Sequence, residues 1–98
     1  MRIVAEKPWT WTLFRDDAGI YVLSTVCGGV AQYGIEMVLS PGEADAYEGV
    51  GTDSLDALAQ EVSRNPAAYT GRAIEGFIGR AEVKDAIVRW RAQSGRSD

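Results

Sequence analysis

Residues that could carry nucleophilic or metal chemistry are few in this chain. Its 98 residues include one cysteine, Cys27, and no histidine. A cysteine nucleophile needs a neighbouring base or cation to lower its pKa, and histidine is the commonest such base. The missing histidine also excludes serine–histidine–aspartate triads and histidine-containing zinc sites, and one cysteine cannot build a four-cysteine site. We therefore interpret Cys27 as a small buried residue at the end of a strand, and expect no catalytic residue, metal or cofactor.

Carboxylates are the remaining groups that could act in pairs as general acid and base or as calcium ligands. Asp16 and Asp17 are adjacent, but adjacent carboxylates of this kind are typical of a hairpin turn. Glu43, Asp45 and Glu48 are close in sequence, yet the spacing and terminal glutamate of an EF-hand are missing. An enzyme that uses carboxylates alone, as some glycosidases do, stays an alternative, although the chain is short for a deep cleft.

Two tryptophans could form an aromatic binding surface. Trp9 and Trp11 are two residues apart, so they lie on the same face of a strand. Either helices cover this face and both rings belong to the core, or the face is open and offers aromatic anchors to a partner.

The charge of the chain is acidic and unevenly distributed. Residues 1–65 hold ten carboxylates and four basic residues, a net charge of −6, whereas residues 66–98 hold six basic residues and four carboxylates, a net charge of +2. From Glu36 to Glu61 there are seven carboxylates and no lysine or arginine. Binding to nucleic acid usually requires a basic surface, so we expect none. The acidic stretch is either a solvated helical face or a surface complementary to a basic partner.

The elements that position these groups begin with strands. Residues 9–14 are rich in aromatic and β-branched residues, and residues 20–27 are apolar on both faces, which predicts a central strand. The turn between them ends at Gly19, which suits a positive φ. Residues 33–39 predict a further strand, and residues 3–6 predict a short edge strand.

Helices are predicted in the second half of the chain. The sequence Ser40-Pro41-Gly42-Glu43 has the form of a capping box and starts a short helix that ends near Glu48. A second helix begins at Thr52 or Asp53 and ends before residues 65–66, and a third begins near Ala81.

Two segments carry weaker patterns. Residues 70–79 contain three glycines and predict a loop or short strand, and residues 94–98 predict a frayed tail. The chain is thus expected to be one α+β domain, with an antiparallel sheet of three to four strands packed against two to three helices.

The order of these features resembles small bacterial proteins of the toxin-immunity kind. The residues that carry the resemblance are Trp9-Thr10-Trp11-Thr12-Leu13-Phe14, Tyr21-Val22-Leu23, Cys27-Gly28, Tyr33-Gly34-Ile35, and Leu55-Asp56-Ala57-Leu58-Ala59 followed by Asn65-Pro66. Such proteins are α+β, of about this size and often acidic. The resemblance spans residues 9–75, and it implies an inhibitor that blocks a partner toxin by occupying its active site or its exit from an inactive state.

The leading hypothesis is therefore a non-enzymatic inhibitor of a cytotoxic, basic protein. The predicted contact residues are the following: Glu43, Asp45, Tyr47, Glu48, Asp53 and Asp56. Tyr47 is expected to be the aromatic anchor among the carboxylates. No apolar run approaches the ~20 residues of a membrane span, and no signal-peptide pattern is visible, so we expect a cytoplasmic protein that does not bind membranes.

A homo-oligomeric structural protein is the second hypothesis. In that case the face of Trp9 and Trp11, or an edge strand, would pair with a second copy to form a homodimer.

Overall fold

A four-stranded antiparallel sheet forms the first half of the chain. The computed structural model describes residues 1–8, 10–27 and 33–94, with the backbone alone described at 27, 33 and 94. The strands are β1 (Arg2–Lys7), β2 (Trp11–Arg15), β3 (Tyr21–Cys27) and β4 (Tyr33–Val38), and they lie in that order across the sheet. The predictions for Trp9, for the side chain of Cys27 and for residues 95–98 lie outside the described residues.

The sequence explains why the strands form and turn where they do. β3 is apolar on both faces and lies between β2 and β4, as predicted for a central strand. In the turn before it, the Asp16 carboxylate accepts hydrogen bonds from the backbone N–H groups of Ala18 and Ile20, both at 2.9 Å. Gly19 follows with a φ of 85°, a conformation that favours glycine.

Three helices fill the second half, so the predicted α+β class is confirmed. They are α1 (Pro41–Val50), α2 (Thr52–Arg64) and α3 (Ala81–Ser94), with two short 3-10 turns at Pro66–Ala68 and Thr70–Arg72. The predicted capping box is present at the start of α1. Gly51, with a φ of 97°, separates α1 from α2 and redirects the chain.

One face of the sheet, which we call the first face, is covered by α2. Its buried residues are Trp11, Leu13, Leu23, Ile35, Met37 and Leu39 from the sheet side and Leu55, Ala59 and Val62 from α2. Trp11 is only 3% exposed, so of the two alternatives for its face the covered one holds at this position. α1 contributes no buried residue and packs at the margin of this core through Ala44 and Tyr47.

The opposite face, which we call the second face, is covered over part of its area. Its buried residues are Ile3, Phe14 and Val22 from the strands and Phe77, Val83 and Ala86 from the later part of the chain. The rings of Phe14 and Phe77 meet edge to face with centroids 5.1 Å apart. α3 packs mainly against β1, so helices lie on both sides of the sheet.

Residues 70–79 form turns and one short bridge to the sheet. Ala73 pairs with Met37, and the Ile74 N–H donates to the Glu36 carbonyl at 2.7 Å. This segment thereby occupies part of the outer edge of β4 and delivers Phe77 to the second face.

Candidate functional site

Glu43 is held within the fold rather than presented to solvent. Its carboxylate accepts the Ser40 N–H in the capping box at 2.8 Å and receives two hydrogen bonds from the Arg72 guanidinium, at 2.6 and 3.1 Å. Arg72 also donates to the Val38 carbonyl at 2.8 Å, so it joins α1 to the edge of β4. Hydrogen bonds from Arg72 hold the pKa of Glu43 below its usual value.

Asp56 has a similar structural role on α2. Its carboxylate accepts a hydrogen bond from the Trp11 indole at 2.8 Å and lies 3.4 Å from the Lys7 ammonium. The Trp11 hydrogen bond is the main reason that the pKa of Asp56 is lowered, with a further contribution from Lys7. Because a buried indole N–H needs an acceptor, Asp56 joins α2 to the sheet.

Tyr47 belongs to a small aromatic cluster beside the first face. Its ring meets that of Tyr21 edge to face with centroids 5.4 Å apart, and the Arg15 guanidinium lies 5.4 Å from the Tyr21 ring centroid. The Tyr21 hydroxyl donates to Glu48 at 3.2 Å, and desolvation with this hydrogen bond raises the pKa of Tyr21. Tyr47 is half-buried, so part of its ring is accessible.

The other three predicted contact residues are exposed carboxylates. Asp45 and Glu48 lie three residues apart on α1, which places them on neighbouring positions of the helix surface, and Asp53 lies in the first turn of α2. Among residues 1–8, 10–27 and 33–94, none of the three carboxylates lies within ion-pair distance of a cation. Val50, the last residue of α1, is 68% exposed. We call Asp45, Tyr47, Glu48, Val50 and Asp53 the acidic surface.

A second polar group lies on the second face and was missed from the sequence. Glu6 pairs with Thr12 between β1 and β2, Thr12 pairs with Ser24 between β2 and β3, and Ser24 pairs with Glu36 between β3 and β4. The four residues therefore form a straight row across all four strands, which we call the polar row. The sequence shows that each predicted strand contains polar residues. It does not show that these four residues are aligned, because their alignment depends on the registers of three strand pairs.

Hydrogen bonds inside the polar row run from the hydroxyls to the carboxylates. Thr12 donates to Glu6 at 3.3 Å, and Ser24 donates to Glu36 at 3.1 Å. The Trp90 indole donates to the other oxygen of Glu6 at 3.0 Å. A cavity of about 80 Å³ lies against the row, and its lining includes Thr12, Ser24, Trp90 and Arg91.

Glu36 is half-buried in the polar row without a cation among the described residues within ion-pair distance. Burial raises the pKa of Glu36, and the hydrogen bond from Ser24 opposes this only in part. A Cβ at Gly34 would lie 2.5 Å from the Glu36 carboxylate, so any other residue there would make the end of the Glu36 side chain move.

Two larger concavities lie at the turn between β2 and β3, and another, of about 290 Å³, lies between β1 and α3. One of about 480 Å³ is lined by Arg2, Arg15, Asp17 and Arg89, among others. Its two carboxylates are poorly suited to acid–base work, since Asp16 is engaged by the turn backbone and Asp17 is fully exposed. In the described ranges, no three histidine, cysteine or acidic side chains are grouped so that they could hold a metal ion.

Comparisons with known proteins leave the function to be argued from these surfaces. No protein-family model matches the chain, and no curated protein or solved structure is significantly similar to it. A search of the helices within the described residues found none with the length and apolar character needed to cross a bilayer.

Proposed function

We propose that this protein is a non-enzymatic binding module whose acidic surface binds a basic protein partner, with inhibition of a toxin of the immunity kind as the specific role. The observation that carries the proposal is the set of three exposed carboxylates, Asp45, Glu48 and Asp53, which have no cation partner among the described residues. In this proposal the protein acts in the cytoplasm of the cell that makes it.

The organisation of α1 supports the proposal. The helix has ten residues and none is buried, so it adds little to the core. Its last turn contains no basic residue but does contain Glu48, although a carboxylate near a helix C-terminus interacts unfavourably with the helix dipole. The first turn of α1 is stabilised by the capping box and by Arg72, whereas the last turn carries unfavourable charge, which suits a segment that presents charge to a partner.

The arrangement of apolar and acidic groups also fits an interface. The half-buried Tyr47 ring meets Tyr21, whose hydroxyl donates to Glu48, and Val50 follows on the same helix with 68% of its surface exposed. Apolar or aromatic groups bordered by polar ones are the usual anatomy of a binding patch. Uncompensated surface charge accelerates encounter with an oppositely charged protein, and the acceleration falls as salt rises. Such a module inhibits by covering the basic, functional surface of its partner.

A triple charge reversal tests the proposal. Asp45→Lys, Glu48→Lys and Asp53→Lys together should slow association with the captured partner by more than about tenfold at low salt, because the steering field changes sign. The matched control reverses Glu61, Glu75 and Glu82, which are exposed carboxylates outside the acidic surface and give the same change of net charge. The control should retain most of the association rate.

The partner for this test is obtained by capture from lysate of the native host at low and high salt, followed by kinetic measurement with purified protein. Equal losses in both triple variants would assign the effect to net charge alone and would contradict a localised surface. Capture of nothing but the protein itself, together with a mass that rises with concentration, would favour the homo-oligomer hypothesis.

A further inference from the structure

The second face has an unpartnered area beside α3. Thr12, Ser24 and Glu36 of the polar row are half-buried, and Val38 on the same face of β4 is 43% exposed. The helix packs against β1 at one side of the sheet, and Phe77 covers Phe14 and Val22. The described helices therefore leave the middle of the polar row accessible.

The hydrogen bonds of the polar row determine what chemistry it can accept. Both hydroxyl protons and the Trp90 indole proton are already donated to the carboxylates. The unused positions are lone pairs, on the hydroxyl oxygens of Thr12 and Ser24 and on the carboxylate oxygens of Glu6 and Glu36. Arg91 lines the cavity at the Glu6 end of the row but is not within ion-pair distance of a carboxylate, so Glu6 and Glu36 both lack a cation partner among the described residues. A row that offers acceptors and negative charge is complementary to a cation with several N–H donors.

Fold stability does not account for this composition. Elsewhere on the same face the strands bear Ile3, Phe14 and Val22, which are buried under Phe77 and α3. Glu36 instead places a half-buried carboxylate beside Gly34, where the described residues supply no cation within ion-pair distance. Half-buried charge without a partner is unfavourable for folding, and it is the arrangement expected where a cation arrives with a ligand.

The dimensions of the row suit an extended segment. Glu6 and Glu36 are three strand spacings apart, which corresponds to about 14 Å between their backbones. In an extended chain, side chains four residues apart point to the same side and are separated by about 13 Å. Arginine suits these sites better than lysine, since its planar group presents five donors and stacks on aromatic rings such as Trp90.

The geometry points to a second docking site: the polar row binds an extended segment of a protein partner that carries two arginines four residues apart, one at Glu6 and one at Glu36. The site lies on the second face, so it is separate from the acidic surface, and it goes beyond the proposed function. The apolar rim formed by Val38 and Ile78, which is 41% exposed, would contact the residues between the arginines.

A peptide titration tests this site. The probe is a nine-residue peptide with arginine at its third and seventh positions, valine at the fifth and serine elsewhere, and its control carries neutral citrulline in place of both arginines. We expect the amide resonances of Glu6, Thr12, Ser24 and Glu36 and the Trp90 indole resonance to shift with the arginine peptide. The citrulline peptide should bind at least about tenfold more weakly, because charge-assisted hydrogen bonds are the strong ones.

Two sets of variants show where on the protein the arginine peptide binds. Glu6→Gln with Glu36→Gln keeps acceptors for Thr12, Ser24 and Trp90, so the fold is retained, and it should weaken the arginine peptide by more than about tenfold. Asp45→Asn, Glu48→Gln and Asp53→Asn should change affinity by less than about twofold, since exposed charges on the other side of the sheet are screened. The opposite pattern would place the peptide on the acidic surface and overturn the proposal, as would equal binding of the citrulline peptide. Failure here would leave the association test of the acidic surface unaffected.

Discussion

Carboxylates on the two faces of the sheet differ in whether they have a cation partner. At the first face, Glu43 and Asp56 each meet a cation, and hydrogen bonds from Arg72 to Glu43 and from Trp11 to Asp56 join α1 and α2 to neighbouring elements. On the second face, Glu36 is half-buried with a serine hydroxyl and no cation among the described residues. The pKa values move accordingly, downwards for Glu43 and Asp56 and upwards for Glu36. A carboxylate that meets a cation inside the chain stabilises the fold, whereas a half-buried carboxylate that has only a hydroxyl donor lowers the stability of the charged, folded protein.

The largest loss of stability is expected from a substitution of Phe77, the residue that covers part of the second face. Phe77 is almost fully buried against Phe14, so Phe77→Ala should reduce the free energy of unfolding by about 3–5 kcal/mol. Ile78→Ala, at the exposed neighbouring position, should change it by less than about 0.5 kcal/mol. Urea denaturation measures both. Similar values for the two variants would mean that Phe77 does not anchor a core on this face.

An intermediate effect is expected at the Glu43–Arg72 pair. Arg72→Met removes two hydrogen bonds to Glu43 and one to the Val38 carbonyl, and should cost about 2 kcal/mol at neutral pH. Arg64→Met, which removes an exposed pair with Glu61, is the control and should cost less than about 0.5 kcal/mol.

The stability that the Glu43–Arg72 pair contributes is expected to depend on pH. Arg72 lowers the pKa of Glu43 in the folded state, so the pair contributes fully above the ordinary pKa of glutamate. The contribution is lost as pH falls through the lower pKa of the folded protein. The difference between wild type and Arg72→Met should therefore shrink in acid, and a difference that stayed constant would show that Glu43 is not the group involved.

The smallest change in stability is expected for a substitution of Glu36, and it should be a gain rather than a loss. Its folded-state pKa is raised, so its favourable contribution exists below the ordinary glutamate pKa and is lost as pH rises through the folded value. Glu36→Gln keeps the acceptor for Ser24 and should therefore be more stable than wild type at neutral pH by a few tenths of a kcal/mol, since solvent screens a half-exposed group. The gain should vanish in acid. A destabilised Glu36→Gln would indicate that the charge itself supports the fold.

Local sequence patterns were sufficient for the elements of this fold. The capping box at Ser40 and Glu43, the apolar repeat of α2 and the two-sided apolar character of β3 each depend on neighbours in sequence, and each prediction is confirmed. Contacts between side chains that are distant in the sequence could not be predicted from such local patterns. Arg72 reaches Glu43 only because residues 70–74 turn back along the edge of β4.

The candidate sites show the same limit. Asp45, Glu48 and Asp53 are exposed, as a charge pattern on helices suggests, but that pattern could not separate them from Glu43 and Asp56. The polar row arises from three strand registers acting together, so residues 6, 12, 24 and 36 show no relation in the sequence. Phe77 lies in a glycine-rich segment whose local pattern does not indicate burial.

The most direct test of the central claim is to record the amide resonances of the protein while its captured partner is added. We expect shifts and line broadening to concentrate at Asp45, Glu48, Val50 and Asp53, and to weaken as salt is raised. Changes confined to the arginine-lined turn between β2 and β3, with none on α1, would contradict it.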